Sequence, residues 1–167
     1  MRSSFETIIN NWNNVVGERD TVYHLGDFSF KNPYHYRKRL KGRIELIVGN
    51  HDYRYDCSVF DKVYDLHIIK IEKKTIVLSH FAMRVWHKSH FNSWHLYGHS
   101  HGMLEPFGKS FDVGVDSNNF TPVSFETVAH VMDCLPDNPN WTARLKGFDQ
   151  HEFAEVKKLV DQDIEVD

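Results

Sequence analysis

Apolar positions recur with a helical period near the start of the chain and with strand-like spacing afterwards. Over residues 3–16, Phe5, Ile8, Ile9, Trp12 and Val15 stand three or four apart, the stripe of a helix that lies on a core. Ser3 or Ser4 supplies its N-cap and Gly17 its stop. Residues 20–25 (DTVYHL) predict a short strand running into Gly26-Asp27, and residues 31–41, rich in aromatic and basic side chains, predict a helix. A second strand over 43–48 (RIELIV) runs into Gly49-Asn50-His51-Asp52, with a short helix expected near 56–60. Residues 62–71 and 74–79 then read as a hairpin turned at Glu72-Lys73-Lys74, whose second arm ends at His80. A strand over 94–97 leads to Gly98-His99-Ser100-His101, and another spans 110–115. Helices are expected at 124–132, capped by Ser124 with Glu126 in the first turn, and at 150–160.

Strands that first alternate with helices and later form hairpins predict an α/β fold: a two-sheet β-sandwich flanked by helices. No repeat or linker divides the 167 residues, so one domain is expected. In such sheets ligands bind where the carboxyl ends of strands open into loops. Four polar clusters sit at such ends.

Composition narrows the chemistry only in part. A net charge of -3 gives no general attraction to nucleic acid or to an anionic membrane. No run of 18 apolar residues and no signal-peptide pattern occurs, which predicts a soluble cytoplasmic protein. Cys57 and Cys134 are too few and too far apart for a disulfide framework or a cysteine zinc site. The twelve histidines are the outlier. Gly26-Asp27 or Gly49-Asn50-His51-Asp52 alone is more often an ordinary turn, and His80 alone an ordinary strand end. In Gly98-His99-Ser100-His101 the alternate histidines, read as extended, point the same way. Read together, four strand ends supplying Asp, Asn and three histidines point to a metal site.

The order of these clusters resembles that of the calcineurin-like metallophosphoesterases, which carry D-x-H, G-D, G-N-H-D or G-N-H-E, a single His and G-H-x-H. This chain has G-D at 26–27, G-N-H-D at 49–52, His80 and G-H-S-H at 98–101. The wording HLGDFSF, LIVGNHD, LSHFAMRVW and WHLYGHSHG is similar to the small bacterial and phage branch, over about residues 5–125. The resemblance implies hydrolysis of a phosphodiester or phosphomonoester by a metal-activated hydroxide. It implies two divalent transition metal ions (Mn, Fe, Zn or Ni), about 3.5–4 Å apart. Asp27, Asn50, His80 and His99 would hold one; Asp27 and His101, with the D-x-H pair, would hold the other. His51 would protonate the leaving oxygen, with Asp52 orienting its ring. Arg54, Arg84 and His87 are candidates for contact with substrate phosphate, against the ordinary reading of solvated surface.

No D-x-H precedes Gly26: the earlier acids are Glu6, Glu18 and Asp20, and none has His two residues on. The expectation is therefore a sheet that lacks the family's first core strand, a site that keeps the more complete ligand set of one ion and lacks two ligands of the other, and weak or absent hydrolysis by this chain alone. A shortened gene product, a natural start repaired by a homo-oligomer that completes the sheet, and an inactive remnant all fit. The phosphorylated partner is then a substrate, with a nucleotide or nucleic acid among the options, or the ligand of a catalytically impaired pseudoenzyme that binds it or a protein. His24, on the strand leading to Asp27, reads as an ordinary strand residue ahead of a replacement ligand. Trp86, Trp94, Tyr97 and Phe91 read as core ahead of base-stacking groups.

Overall fold

The computed structural model describes residues 4–141. The 150–160 helix, Ser3 and most of 133–167 lie outside the described residues. Helix α1, Ser4–Val15, turns Ile9 and Trp12 inward, and Val16 follows them into the core. The Trp12 indole N–H donates to the Lys41 carbonyl at 2.9 Å, so this large ring is buried without stranding its polar atom.

β1 (Thr21–His24), β2 (Arg43–Ile47) and β3 (Lys62–Tyr64) form an all-parallel sheet in that order. β4 (Leu66–Ile71), β5 (Lys74–Ser79), β6 (Trp94–Tyr97) and β7 (Ser110–Asp112) form the second sheet, also in sequence order. Only the β4–β5 pair is antiparallel; β6 runs parallel to both its neighbours. On β2, Ile44 and Leu46 meet Trp12, Val16 and Phe60 on the α1 side. Ile47 faces the other way, into a core shared with Ile76, Leu78, Trp94 and Leu96 of the second sheet. α3 (Phe125–Cys134) adds Val128 and Met132 to that core. The far face of the second sheet, with Val77, His95 and Tyr97, is closed by Trp86 from the loop between β5 and β6.

The chain is thus a mixed α/β protein of two sheets with flanking helices. Four element expectations change. The 31–41 helix is one turn of α-helix, α2 (Tyr34–Arg37), after which the bonds tighten to three-residue spacing and the chain leaves at Gly42 with φ 81°. Residues 56–60 make a turn, and the helical turn lies earlier, at Asp52–Arg54. The strand expected over 62–71 is broken at Asp65: its first part pairs with β2, its second with β5. The 110–115 strand ends at Asp112, where Asp112 itself accepts the Gly114 N–H. The Ser124 cap forms as expected, accepting the Thr127 N–H at 3.3 Å. Among the described residues, no helix is long and apolar enough to cross a membrane.

Candidate metal centre

β1, β2, β5 and β6 all deliver polar loops to one place. Gly26 and Asp27, just past β1, both have positive φ (93° and 55°), which turns the Asp27 carboxyl back toward the Gly49 loop after β2. A β-carbon on Gly49 would meet Asp27 and come within 2.8 Å of the His80 ring, so glycine there is a requirement of space. Asp52 ties the two loops together. Its Oδ2 accepts the Asp27 N–H at 2.7 Å and the Gly49 N–H at 2.9 Å, and its Oδ1 accepts the Phe28 N–H at 2.9 Å. Asp52 is only 3% exposed, and both its carboxylate oxygens accept backbone N–H groups.

His80 is the hub. Its Nδ1 donates to the Leu25 carbonyl at 2.7 Å, which in the neutral ring leaves Nε2 as a lone pair. Around that nitrogen stand Asn50 Oδ1 at 3.0 Å, His99 Nδ1 at 3.2 Å and Asp27 Oδ2 at 3.4 Å. In that tautomer the Asn50 and Asp27 oxygens and His80 Nε2 all present lone pairs, an arrangement that a cation completes. Ligand atoms of Asp27, His80 and His99 all lie within 4.8 Å of one another, and carboxylate, amide and imidazole donors suit a divalent transition ion. The group could hold one metal ion. Asp27 Oδ1 is engaged separately, accepting the His51 N–H at 2.9 Å.

The remaining expected residues are placed differently. His101 is apart from the cluster, its Nδ1 bonded to Asp116. The 98–101 segment is not extended: His99 and His101 have φ of 65° and 50°. Asp52 spends both oxygens on backbone, and no hydrogen bond joins it to the His51 ring among the described residues. That ring lies edge-on to exposed Phe30, centroids 5.0 Å apart. Arg54, Arg84 and His87, the candidates for phosphate contact, are exposed. The Arg84 guanidinium lies 5.1 Å over the Phe107 ring. His24 packs on Phe28 with its Nδ1 shut off from water and unbonded. Burial pulls its pKa down to about 4, with Asp52 and Asp27 opposing. Trp86, Trp94 and Tyr97 are core, whereas Phe91 is 64% exposed.

Asp116 went unnoticed in the sequence. Its signal was there: Val113-Gly114-Val115-Asp116 leaves β7 through a glycine, much as Leu25-Gly26-Asp27 leaves β1.

The similar proteins carry no named use. The chain is 29% identical over 140 residues to the uncharacterized protein MJ1445 of Methanocaldococcus jannaschii, with 77% of this chain and 74% of that protein covered. It also matches a crystal structure, the protein of unknown function AQ665 from Aquifex aeolicus, at TM-score 0.57 and 25% identity, over 78% of this chain and 86% of that one. No protein-family model matches the chain.

Proposed function

We propose that this protein hydrolyses a phosphate ester with the help of a divalent transition metal. The observation that carries the reading is the convergence of Asp27, Asn50, His80 and His99, from four separate strand ends, on one point. Those four residues would hold the ion, with the proton of His80 kept on Nδ1 by the Leu25 carbonyl. When bound, such an ion activates water and offsets phosphate charge. His51 is the general acid. Its backbone is fixed to Asp27 and its ring stands beside Phe30, so it reaches the leaving oxygen from the edge of the centre. The residue order G-D, G-N-H-D, His and G-H-S-H, similar to calcineurin-like metallophosphoesterases, supports the same assignment.

The test is the leaving group. His51→Ala is expected to slow hydrolysis of an alkyl phosphate ester by about 10²–10⁴-fold. The same variant should spare a p-nitrophenyl ester, whose phenolate departs without a proton. Equal loss on both esters, or none on either, would remove His51 from this role.

A second reading rests on the outer edge of β1, which pairs with no strand among the described residues. An added strand from a partner fits such an edge, and with it a binding protein that captures a phosphorylated ligand without turnover. His99→Ala separates the two: turnover vanishes in a hydrolase, whereas a protein without turnover loses only metal or ligand.

A further inference from the structure

Phe81 directly follows His80 and packs its ring against the metal centre. It stands edge-on to His80, centroids 4.8 Å apart and planes at 74°, and edge-on to His99, centroids 4.7 Å apart and planes at 65°. Packing on two imidazoles accounts for part of this ring, yet the residue remains 50% exposed. Its backbone is fixed. The Phe81 carbonyl accepts the hydroxyl of buried Ser79, and two residues on, the Met83 N–H donates to Nε2 of buried His95 at 3.1 Å. A second exposed ring, Phe30, stands against His51, whose N–H is bonded to Asp27. The Phe30 carbonyl is held likewise, by the Tyr55 hydroxyl. Exposed rings at a polar centre keep apolar surface in water, and a fixed backbone holds that surface in place before any ligand arrives.

The segments that carry His80 and His99 go on to wall an open cavity of about 240 Å³. Ala82, Met83 and Arg84 come from the first, Leu104 and Phe107 from the second, and Tyr97 at the end of β6 lies among them. An engineered apolar cavity of about 150 Å³ admits benzene, so this one has room for an aryl ring or a nucleobase. Its lining already stacks one planar group, the Arg84 guanidinium over Phe107.

We propose that Phe81 determines specificity: its exposed side receives a planar aromatic group carried by the phosphate ester, an aryl group or the base of a nucleoside. This rests on the reading of the centre as a phosphate-ester hydrolase and names its substrate class. Phe81 touches two of the residues that would hold the ion, so a ring stacked on it lies within reach of a phosphate at the centre. Stacking tolerates either source of the ring, because every aryl group and every base has a π-face.

The test is calorimetric titration of the zinc-loaded full chain with methyl phosphate, phenyl phosphate and adenosine monophosphate, three monoesters of like charge. Wild type should bind the better of the two ring-bearing esters about 5–100-fold more tightly than methyl phosphate. Phe81→Ala should lose that preference, and Phe81→Leu, which keeps apolar bulk against the imidazoles, should lose most of it. In both the loss falls on the ring-bearing esters alone, with zinc content per chain retained. Phe81→Trp should keep the preference. The tighter of phenyl phosphate and adenosine monophosphate identifies the source of the ring. A wild type that binds neither ring-bearing ester more tightly than methyl phosphate overturns the proposal. So does a preference that survives in both Phe81→Ala and Phe81→Leu, or a loss of methyl phosphate affinity as large as that of the ring-bearing esters. None of these titrations needs turnover. Ring preference through Phe81 without hydrolysis of any ester sinks the hydrolase reading and leaves this one standing, and ester hydrolysis without ring preference does the reverse.

Discussion

Asp52 accepts three backbone amides across two loops. Asp52→Ala leaves the donors of Asp27, Phe28 and Gly49 unmatched, one of them in a buried setting. The expected loss is about 1–3 kcal/mol in urea unfolding, with metal affinity falling alongside because Asp27 is no longer held. Stability kept and metal lost would instead point to Asp52 acting on the ion directly. His95 sets a pH limit of another kind. It is 0% exposed, with Nδ1 donating to the Val77 carbonyl at 3.1 Å and Nε2 accepting the Met83 N–H at 3.1 Å. Burial pulls its pKa below the ordinary 6.5, and the carbonyls of Val77 and Phe81 only partly offset that. Below pH 6.5 the unfolded chain therefore takes up a proton that the folded one refuses, and stability falls with pH. The fall continues until the folded-state pKa is reached and then levels; His24, held down to about 4, adds to it in the same sense. Urea midpoints from neutral to acid pH should show this decline, and His95→Gln should lessen it. A decline unchanged in His95→Gln would assign it elsewhere.

At the scale of elements, the hairpin shows what pattern can and cannot give. Glu72 and Lys73 turn β4 into β5 with φ of 48° and 68°, the two left-handed residues of a type I′ turn, though neither is glycine or asparagine. Glu72→Asn with Lys73→Gly should relieve that strain and stabilise the protein by about 1–2 kcal/mol, read as a higher urea midpoint. An unchanged midpoint would mean that the turn holds no strain. The hairpin itself was legible, because a polar turn separates two apolar runs of strand length. The break at Asp65 was not. Apolar residues stand on both sides of it, at Val63 and Leu66, and the switch from one sheet to the other is decided by tertiary pairing with β2 and β5. α1 and the Ser124 cap were legible from local spacing alone. At the site, the glycine-polar wording marked Asp27, Asn50 and His99, and the end of the hairpin's second arm marked His80. Their separation from His101 depends on left-handed backbone at non-glycine residues, and no hydrophobic pattern records that. The amide-binding role of Asp52 was hidden for a similar reason: its partners lie 24 and 25 residues away as well as next door.

Across the whole molecule, the two sheets share one core, and the strands that carry the site open toward the same end. That arrangement lets side chains from residues 27 to 99 meet within hydrogen-bond distances while each is anchored on a different strand. The open outer edge of β1 lies at the sheet margin and leaves the cluster formed. The central claim is that the cluster is a working metal centre. It is tested most directly by metal content per chain, from elemental analysis of protein purified without chelator, with turnover of bis-p-nitrophenyl phosphate measured on the same sample in added manganese. The account predicts at least one divalent transition ion per wild-type chain, turnover that chelator abolishes and manganese restores, and loss of both ion and turnover in His80→Ala. Folded wild-type protein that holds no transition metal and remains inactive with manganese present would contradict it.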